Sequence, residues 1–315
     1  MSNNARRIFS VVILCILTLS VCSASTIAAN KEIKIGLSLP TMQHGLQRAR
    51  AAQAVNAAMH HVDVRVIVTD ARRDSLKQLA DIESFIAQGV DVVLMCPNDS
   101  QALVQAATEL KKAGIPLITF DRSLSCDDVL CHVGVDNVEV GRKVGRFVEE
   151  QLKGKGKIIM IEGQPGASAT IERRDGFMEI LKQAPGLDLI LDQTAQYQRH
   201  LALGVMENAL LAHSHIDAVY CHNDEMALGA GVAVANAGRT KEMLVIGVDG
   251  QKEMLKGVLD GTVTATVVTP TLFPQVFDVA MQVLNGESVP QKIVIDAPLV
   301  TKENVEQYYD PDSIF

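Results

Sequence analysis

Apolar and polar positions along the chain separate short strands from longer helices. Apolar runs rich in β-branched residues predict strands at Glu32–Leu39, Val62–Thr69, Val90–Met95, Pro116–Phe120, Leu130–Val133, Lys157–Glu162, Leu187–Thr194, Ala218–Cys221, Met243–Val248 and Thr262–Val268. Apolar residues at helical spacing predict helices between them, among which are Ser75–Gln88, Gln101–Ala113, Glu139–Leu152, Ile171–Gln183 and His200–His213. Continuous apolar runs that alternate with helices indicate parallel sheets covered on both faces. Because two such sets follow each other, the pattern predicts an α/β protein with two doubly wound lobes.

The N-terminal segment indicates where this protein works. Two arginines precede an apolar run that is too short for a comfortable membrane span, and small residues follow it. This order predicts a secretory signal peptide over residues 1–28, cleaved after Ala28 or, alternatively, after Ala24. The residues before Cys22 loosely resemble a lipobox, so a lipid anchor at Cys22 is a second alternative, although the valine before it suits that motif poorly.

Composition and charge narrow the classes of partner. The chain after residue 28 is long enough for two lobes of about 130 to 150 residues each. The full sequence has a net charge of −8 without a basic patch, which argues against binding to nucleic acid or to anionic lipid surfaces. No motif for a cofactor is present, and no paired Cys/His cluster predicts a metal site.

Four cysteines follow the predicted signal peptide. Cys126 and Cys131 lie close together in the sequence, and in an oxidising compartment they can close a small disulfide loop. Free thiols are the alternative, because a disulfide depends on a distance that the sequence does not give. Cys96 and Cys221 end apolar runs and are expected to be buried thiols.

Polar side chains follow the predicted strands at the points where each strand ends. Asp121 and Arg122 come directly after one strand, Asn223 lies two positions after another, and Asp249 follows a third. Arg173 lies in the helix beyond a fourth strand. Open parallel sheets bind their ligands outside the carboxyl ends of the strands, so these side chains are expected to converge on one site.

This set of side chains suits a polyhydroxylated ligand. Hydroxyl groups both donate and accept hydrogen bonds, so a site for them needs carboxylates, fixed donors and amides. The two carboxylates accept, the two arginines donate through planar forks, and the asparagine does both. Asp224 is interpreted as a helix cap rather than a ligand, because it precedes a helical segment.

The chain resembles the type I periplasmic sugar-binding proteins of ABC importers, among them the ribose and galactofuranose binders. The resemblance runs from about Ile33 to Lys302 and rests on the strings FIAQGVDVVLMCPND, GIPLITFDRSL, GASATIERRDGF, HNDEMALGA and VIGVDG. It implies two Rossmann-like lobes that close over a ligand, joined by a hinge of three segments near 136–137, 269–270 and 296–298. The implied N-terminal lobe is 31–135 with 270–296, and the C-terminal lobe is 136–269 with 297–315.

The resemblance also implies roles for particular residues. The aspartate–arginine pair of the family matches Asp121 and Arg122, and the arginine of the galactofuranose-type motif matches Arg173. The asparagine of NDEMALGA matches Asn223 and the aspartate of the DG turn matches Asp249. The aromatic residue that ribose binders carry after a strand of the second lobe matches Tyr197.

The first lobe departs from the ribose binders. These proteins follow their first strand with an asparagine and two phenylalanines that sandwich the sugar ring, whereas residues 42–47 of this chain contain no aromatic side chain. We therefore expect Gln43, His44 or Leu46 to line that wall. Galactofuranose, another sugar, a polyol or a modified cyclitol are the ligands left open.

The family resemblance implies a monomeric periplasmic protein that captures a sugar or polyol and delivers it to the permease subunits of an ABC transporter. The alternative is a signal receptor that presents its ligand to a sensor or chemoreceptor. An enzyme would use Asp121 and Asp249 as an acid and base pair, but no nucleophile elbow, phosphate loop or metal motif accompanies them. A transcription repressor of this fold would carry a DNA-binding headpiece where the signal peptide is predicted.

Overall fold

A computed structural model describes residues 32–273 and 275–315. The predicted signal peptide, both predicted cleavage positions and Cys22 lie outside the described residues. The described residues form two six-stranded sheets, each covered by helices on both faces. The prediction of two α/β lobes is confirmed.

The first lobe is built on a sheet in which every pair of neighbouring strands is parallel. Its order is β11-β5-β4-β3-β1-β2, with β1 Ile33–Leu39, β2 Val64–Asp70, β3 Val92–Met95, β4 Leu117–Phe120, β5 Cys131–Val135 and β11 Lys292–Ile295. Its helices are α1 Gly45–Met59, α2 Ser75–Gln88, α3 Val104–Lys112 and α9 Gln275–Leu284. This alternation of strand and helix is typical of a doubly wound fold.

The second lobe repeats this plan with one antiparallel edge strand. Its order is β12-β10-β9-β8-β6-β7, with β6 Gly156–Glu162, β7 Leu187–Thr194, β8 Ala218–Cys221, β9 Leu244–Asp249, β10 Ala265–Val268 and β12 Leu299–Val300. Its helices are α4 Asn137–Gln151, α5 Ser168–Gln183, α6 Arg199–Ala212, α7 Asp224–Asn236 and α8 Lys252–Asp260, followed by a 3-10 turn at Val305–Gln307. Only β12 runs antiparallel to its neighbour among these strands.

Each sheet separates two apolar clusters, because successive side chains of a strand point to opposite faces. In β6, Ile159 and Ile161 belong to one cluster, whereas Ile158 and Met160 belong to the other. Fully buried strands explain why the sequence shows continuous apolar runs rather than alternation.

The structure differs most from the predicted strands in the start of β10 and in two edge strands. The strand predicted from Thr262 begins only at Ala265, because the Thr262 N–H donates to the carbonyl of Gly257 and closes the end of α8. The edge strands β11 and β12 were not predicted. Strand β11 alternates exposed and half-buried residues, so it lacks the apolar run that marks the central strands.

The described chain passes between the two sheets three times, namely from β5 into α4, from β10 towards α9, and from β11 into β12. Three connections at one side of two lobes allow the lobes to rotate towards each other while the sheets stay rigid. The carboxyl ends of strands from the two lobes face each other across a gap between the lobes.

The disulfide considered for Cys126 and Cys131 is not formed, and both are free thiols. Cys131 is buried in β5 among the cluster on one face of the first sheet. Cys126 packs against the cluster on the opposite face. The sheet itself therefore separates the two sulfur atoms, which short spacing in the sequence does not reveal. Cys96 and Cys221 are buried, as expected.

Within the described residues, no helix is long and apolar enough to cross a membrane. The same part of the chain brings together no group of three or more His, Cys, Asp and Glu side chains that could hold a metal ion.

Candidate functional site

A cavity lies between the two lobes, at the carboxyl ends of their strands. Both lobes contribute to its wall, which consists of Thr41, His44, Leu46, Gln47, Arg73, Asp121, Arg122, Ala169, Arg173, Tyr197, Asn223 and Asp249. Eight of the nine predicted ligand residues are in this set.

Asp121 is held by an arginine that sequence reasoning missed. Its Oδ2 accepts a hydrogen bond of 2.7 Å from Nη1 of Arg50 and one of 3.4 Å from Sγ of Cys96. Burial by itself raises the pKa of the Asp121 carboxyl, but the charge and hydrogen bond of Arg50 outweigh burial and hold that pKa well below its ordinary value. Asp121 is therefore an ionised acceptor whose charge is already balanced.

Arg50 is fully buried in the middle of α1. Its Nε donates to the carbonyl of Thr271 over 3.1 Å, and its guanidinium lies 5.8 Å from the ring centre of Phe120. A signal for this residue exists in the sequence. It stands four positions after Leu46 and four before Ala54, on the buried face of the helix.

Arg122 lies over the aromatic ring of Tyr197. The guanidinium carbon is 5.1 Å from the ring centre, and Nη1 donates to the carbonyl of Pro97 over 3.4 Å. The hydroxyl of Tyr197 shares a hydrogen bond of 2.7 Å with Oγ1 of Thr170. These contacts fix the guanidinium and the ring as one wall of the cavity, with an arginine of the first lobe placed on an aromatic residue of the second.

Arg173 is fixed from behind by two acceptors. Its Nε donates to Oδ1 of Asn137 over 2.9 Å, and its Nη1 donates to the carbonyl of His222. The helix that carries it packs very closely on α4, since a Cβ on Gly141 would lie 2.2 Å from the carbonyl oxygen of Arg173. Glycine at this position therefore lets α5 bring the guanidinium to the cavity.

Asn223 joins the two lobes. It is the N-cap of α7, where its Oδ1 accepts from the N–H of Met226 over 3.0 Å. Its Nδ2 lies 2.9 Å from Nε2 of His44, which belongs to the first lobe. Because the amide Nδ2 can only donate, Nε2 accepts, and the imidazole is neutral. Burial lowers the pKa of His44 to about 4, in agreement with this state.

Asp249 and Asp224 form a buried pair of carboxyl groups. Burial raises the pKa of Asp249 well above its ordinary value and that of Asp224 to about 7. Asp249 lies at the cavity with a backbone φ of 130°, and its Oδ2 is 4.0 Å from Nε2 of His44. Asp224 lies behind it, where its oxygens accept from Thr266 Oγ1 and from the N–H of Gln251, each over 2.7 Å.

Two sequence-based expectations are corrected here. Asp224 is not the cap of α7, because the cap is the preceding Asn223 and the helix begins at Asp224. Gln43 does not line the cavity, since its side chain is exposed. Its backbone N–H donates to Oγ1 of Thr41 over 3.1 Å, and its carbonyl accepts from Arg48. Of residues 42–47, His44, Leu46 and Gln47 line the cavity.

The two lobes are in contact in this conformation. The N–H of Ser100 donates to the carbonyl of Gly166 over 2.9 Å, and Nε2 of Gln164 donates to Oδ1 of Asn98 over 2.8 Å. A third bond of 2.8 Å runs from the N–H of Ser123 to Oγ of Ser168. These bonds join the two lobes directly, so the structure corresponds to a closed clamp.

The described fold and cavity agree with comparisons to known proteins. Residues 35–288 match the family described as the periplasmic binding protein domain. The chain belongs to this family.

Individual relatives match most of the length of this chain. The ribose import binding protein of Bacillus subtilis is 39% identical over 85% of this chain and 87% of its own length. A solute-binding protein of an ABC transporter from Bacillus halodurans, solved with bound myo-inositol, is 31% identical with a TM-score of 0.84, covering 88% of this chain and 97% of its own. A fructose-binding periplasmic domain of a hybrid two-component system is 32% identical with the same TM-score, 0.84, covering 87% and 92%.

Four cavity residues of this binding protein were not predicted, namely Thr41, Gln47, Arg73 and Ala169. Arg73 could have been predicted by the rule that ligand-binding residues follow the carboxyl ends of strands, because it follows the end of β2. Gln47 had no such signal. It is buried in the first turn of α1, and its Nε2 lies 3.7 Å from Sγ of Cys96.

Proposed function

We propose that this chain is the periplasmic solute-binding component of an ABC importer, which captures a sugar or related polyol between its lobes and delivers it to a membrane permease. The observation that carries this proposal is the cavity itself. It is closed by hydrogen bonds between the lobes and combines guanidinium forks, carboxylates and an amide around one enclosed space. The names of the relatives, which include ribose, xylitol and galactofuranose binding proteins, support the ligand class.

The proposed ligand contacts follow from this geometry. Arg122 and Arg173 donate to ligand oxygens, Asp121 and Asp249 accept from hydroxyl groups, and Asn223 does both. Tyr197, His44 and Leu46 complete the wall against the ring or carbon chain. Because residues of both lobes contact the same molecule, the ligand has a higher affinity for the closed state and stabilises it.

Calorimetry and thermal unfolding with a panel of ribose, galactose, xylitol and myo-inositol test this function. A ligand at 100 times its dissociation constant adds about 2.7 kcal/mol to the free energy of unfolding, which corresponds to roughly 5 to 10 °C in Tm. At least one member of the panel or a close derivative is expected to give such a shift. A well-folded protein that responds to no sugar, polyol or sugar derivative would overturn the proposal.

A signal receptor is the second candidate function. The similarity to the fructose-binding periplasmic domain of a hybrid two component system supports it, because that domain is itself part of a signalling system. Uptake of radiolabelled ligand by cells with and without this gene separates the two candidates. Unchanged uptake together with a lost transcriptional or chemotactic response would favour the receptor.

An enzymatic use of the carboxylates finds little support in the site. In a glycosidase the ionised carboxylate attacks the sugar or activates a water, but Oδ2 of Asp121 is engaged by Arg50, which balances its charge. We further propose export to the periplasm as a monomer after cleavage behind Ala28. The mass of the secreted protein and its elution in size-exclusion chromatography test these two points.

A further inference from the structure

The cavity carries an excess of positive charge. Of the described residues that line it, Arg73, Arg122 and Arg173 bring three guanidinium groups, whereas Asp121 and Asp249 bring two carboxyl groups. The charge of Asp121 is already balanced by Arg50 behind the wall, at 2.7 Å. The excess is local, because the chain as a whole has a net charge of −8.

Arg73 and Arg122 both line the cavity, and each donates a hydrogen bond to a backbone carbonyl. Arg73 donates to the carbonyl of Gln196 over 2.8 Å, and Arg122 donates to that of Pro97. Neither forms an ion pair with any acidic side chain in the described part of the chain. Nε of Arg73 is buried and has no hydrogen-bond partner among the described residues.

The electrostatic state of Arg73 reflects this arrangement. Burial and then the positive charge of Arg122 lower the pKa of Arg73 below its ordinary value. Many other arginines of this protein are paired, as Arg142 is with Glu179 and Arg199 with Glu225. Arg122 is buried and Arg73 is partly buried, and two guanidinium groups that form no ion pair among the described residues and face one cavity are less unfavourable in the closed state when a negative charge enters with the ligand.

We infer that the ligand carries an anionic group, and that its class is a polyhydroxylated carboxylate, such as an aldonate or a uronate, whose carboxylate binds between Arg73 and Arg122. This inference rests on the proposed function. Planar guanidinium forks match the two oxygens of a carboxylate and form charge-assisted hydrogen bonds with it. The hydroxyl groups of the same ligand then face Asn223, Asp249 and Arg173 on the other side of the cavity.

Matched pairs of ligands test the inference by isothermal titration calorimetry at neutral pH. The pairs are galactose with galacturonate, glucose with glucuronate and gluconate, and ribose with ribonate, and glucose 6-phosphate is added as a second kind of anion. At least one acid is expected to bind about tenfold or more tightly than its neutral parent.

Two arginine variants locate the anion. Arg73→Gln removes one positive charge from the cavity wall, and Arg72→Gln removes the same charge from the adjacent exposed residue, which has a similar left-handed backbone. The ratio of acid to parent affinity is expected to fall about tenfold in Arg73→Gln and to stay unchanged in Arg72→Gln. Because the ratio compares two ligands of the same variant, it cancels any effect that the lost contact with Gln196 has on closure of the lobes. Thermal unfolding without ligand checks that both variants fold.

The outcomes separate this inference from the proposed function. Neutral sugars that bind as tightly as their acids would overturn the inference and leave the sugar-binding function intact. An acid preference that Arg73→Gln does not reduce would overturn the assigned position. Tighter binding of the sugar phosphate than of every acid would overturn the carboxylate class. A folded protein that binds neither acids nor neutral sugars would overturn the proposed function itself.

Discussion

Arg50 and Asp121 form the ion pair on which the first-lobe side of the cavity depends. Both side chains are buried, and Arg50 also binds a backbone carbonyl of the segment that leads to α9. A buried charge that loses its partner is strongly unfavourable, whereas removal of both charges is tolerated better. The pair therefore matters less for net stability than for keeping Asp121 ionised and in place.

Arg50→Met is expected to lower the free energy of unfolding by about 3 to 5 kcal/mol, because it leaves the Asp121 carboxylate buried and unpaired. The double variant Arg50→Met with Asp121→Asn is expected to recover a large part of this loss. Urea unfolding of the single and double variants measures the coupling. Arg48→Met, on the exposed face of the same helix, is the control and is expected to change stability little. Equal losses of stability in Arg50→Met and Arg48→Met would contradict this account.

His44 is expected to make ligand binding dependent on pH. In separated lobes its pKa is near 6.5, and in the closed state burial lowers the pKa to about 4, so closure requires the neutral ring. The contribution of His44 to binding is therefore fully present above about pH 6.5 and decreases towards pH 4, by at most about tenfold per pH unit. Calorimetry from pH 7.5 to pH 5 measures this slope.

His44→Gln is expected to flatten the slope, while His60→Gln, at an exposed position, leaves it unchanged. Asp249 acts in the opposite direction, since burial raises its pKa and closure takes up a proton there. Asp249 is present in all three proteins, so the difference between their slopes isolates His44. Identical slopes for the wild-type protein and His44→Gln would contradict the prediction.

At the scale of elements, the ends of strands and the starts of helices decide where the site lies. The sequence signals for these elements were strong, because strands buried on both faces need continuous apolar runs. Helix α5 begins at Ser168, three residues before the first residue predicted for it, since polar residues in its first turn hide the helical pattern. The residues predicted at strand ends line the cavity, whereas Gln43 in the loop before α1 does not.

Asn223, at the start of α7, has two roles that can be separated: it caps the helix and its amide faces the cavity. Asn223→Ala removes the cap of α7 and is expected to cost about 1 kcal/mol of stability, whereas Asn223→Ser keeps an N-cap acceptor and costs less. Both substitutions remove the amide that faces His44 and the cavity, so both are expected to weaken ligand binding about tenfold. Thermal unfolding and calorimetry measure the two effects. Full ligand affinity in Asn223→Ser would show that Asn223 acts only as a cap.

At the scale of the whole molecule, ligand affinity includes the equilibrium between open and closed lobes. We propose that the lobes are 31–135 with 270–296 and 136–269 with 297–315. The hydrogen bonds from Gln164 to Asn98 and from Ser123 to Ser168 join them across the gap. Such contacts contribute only when the clamp is closed.

Gln164→Ala is expected to weaken ligand binding about threefold to tenfold, because it removes two hydrogen bonds that exist only between closed lobes. The unfolding temperature of the ligand-free protein is expected to change little if its lobes are mainly open. Gln193→Ala, at an exposed position of β7, is the matched control. Small-angle scattering measures the degree of closure with and without ligand. Equal affinities of the two variants would contradict a role of Gln164 in closure.

The sequence by itself determined the alternation of buried strands and helices, the two lobes and the polar residues at the strand ends, because apolar periodicity and chain order are local properties. Only the tertiary structure decided which partners those residues have. It placed Arg50 against Asp121 although 71 positions separate them, and His44 against Asn223 across the gap between the lobes. It also put Cys126 and Cys131 on opposite faces of a sheet. Charge balance in a buried site depends on such distant neighbours, so the positive character of this cavity could be found only once the chain was folded.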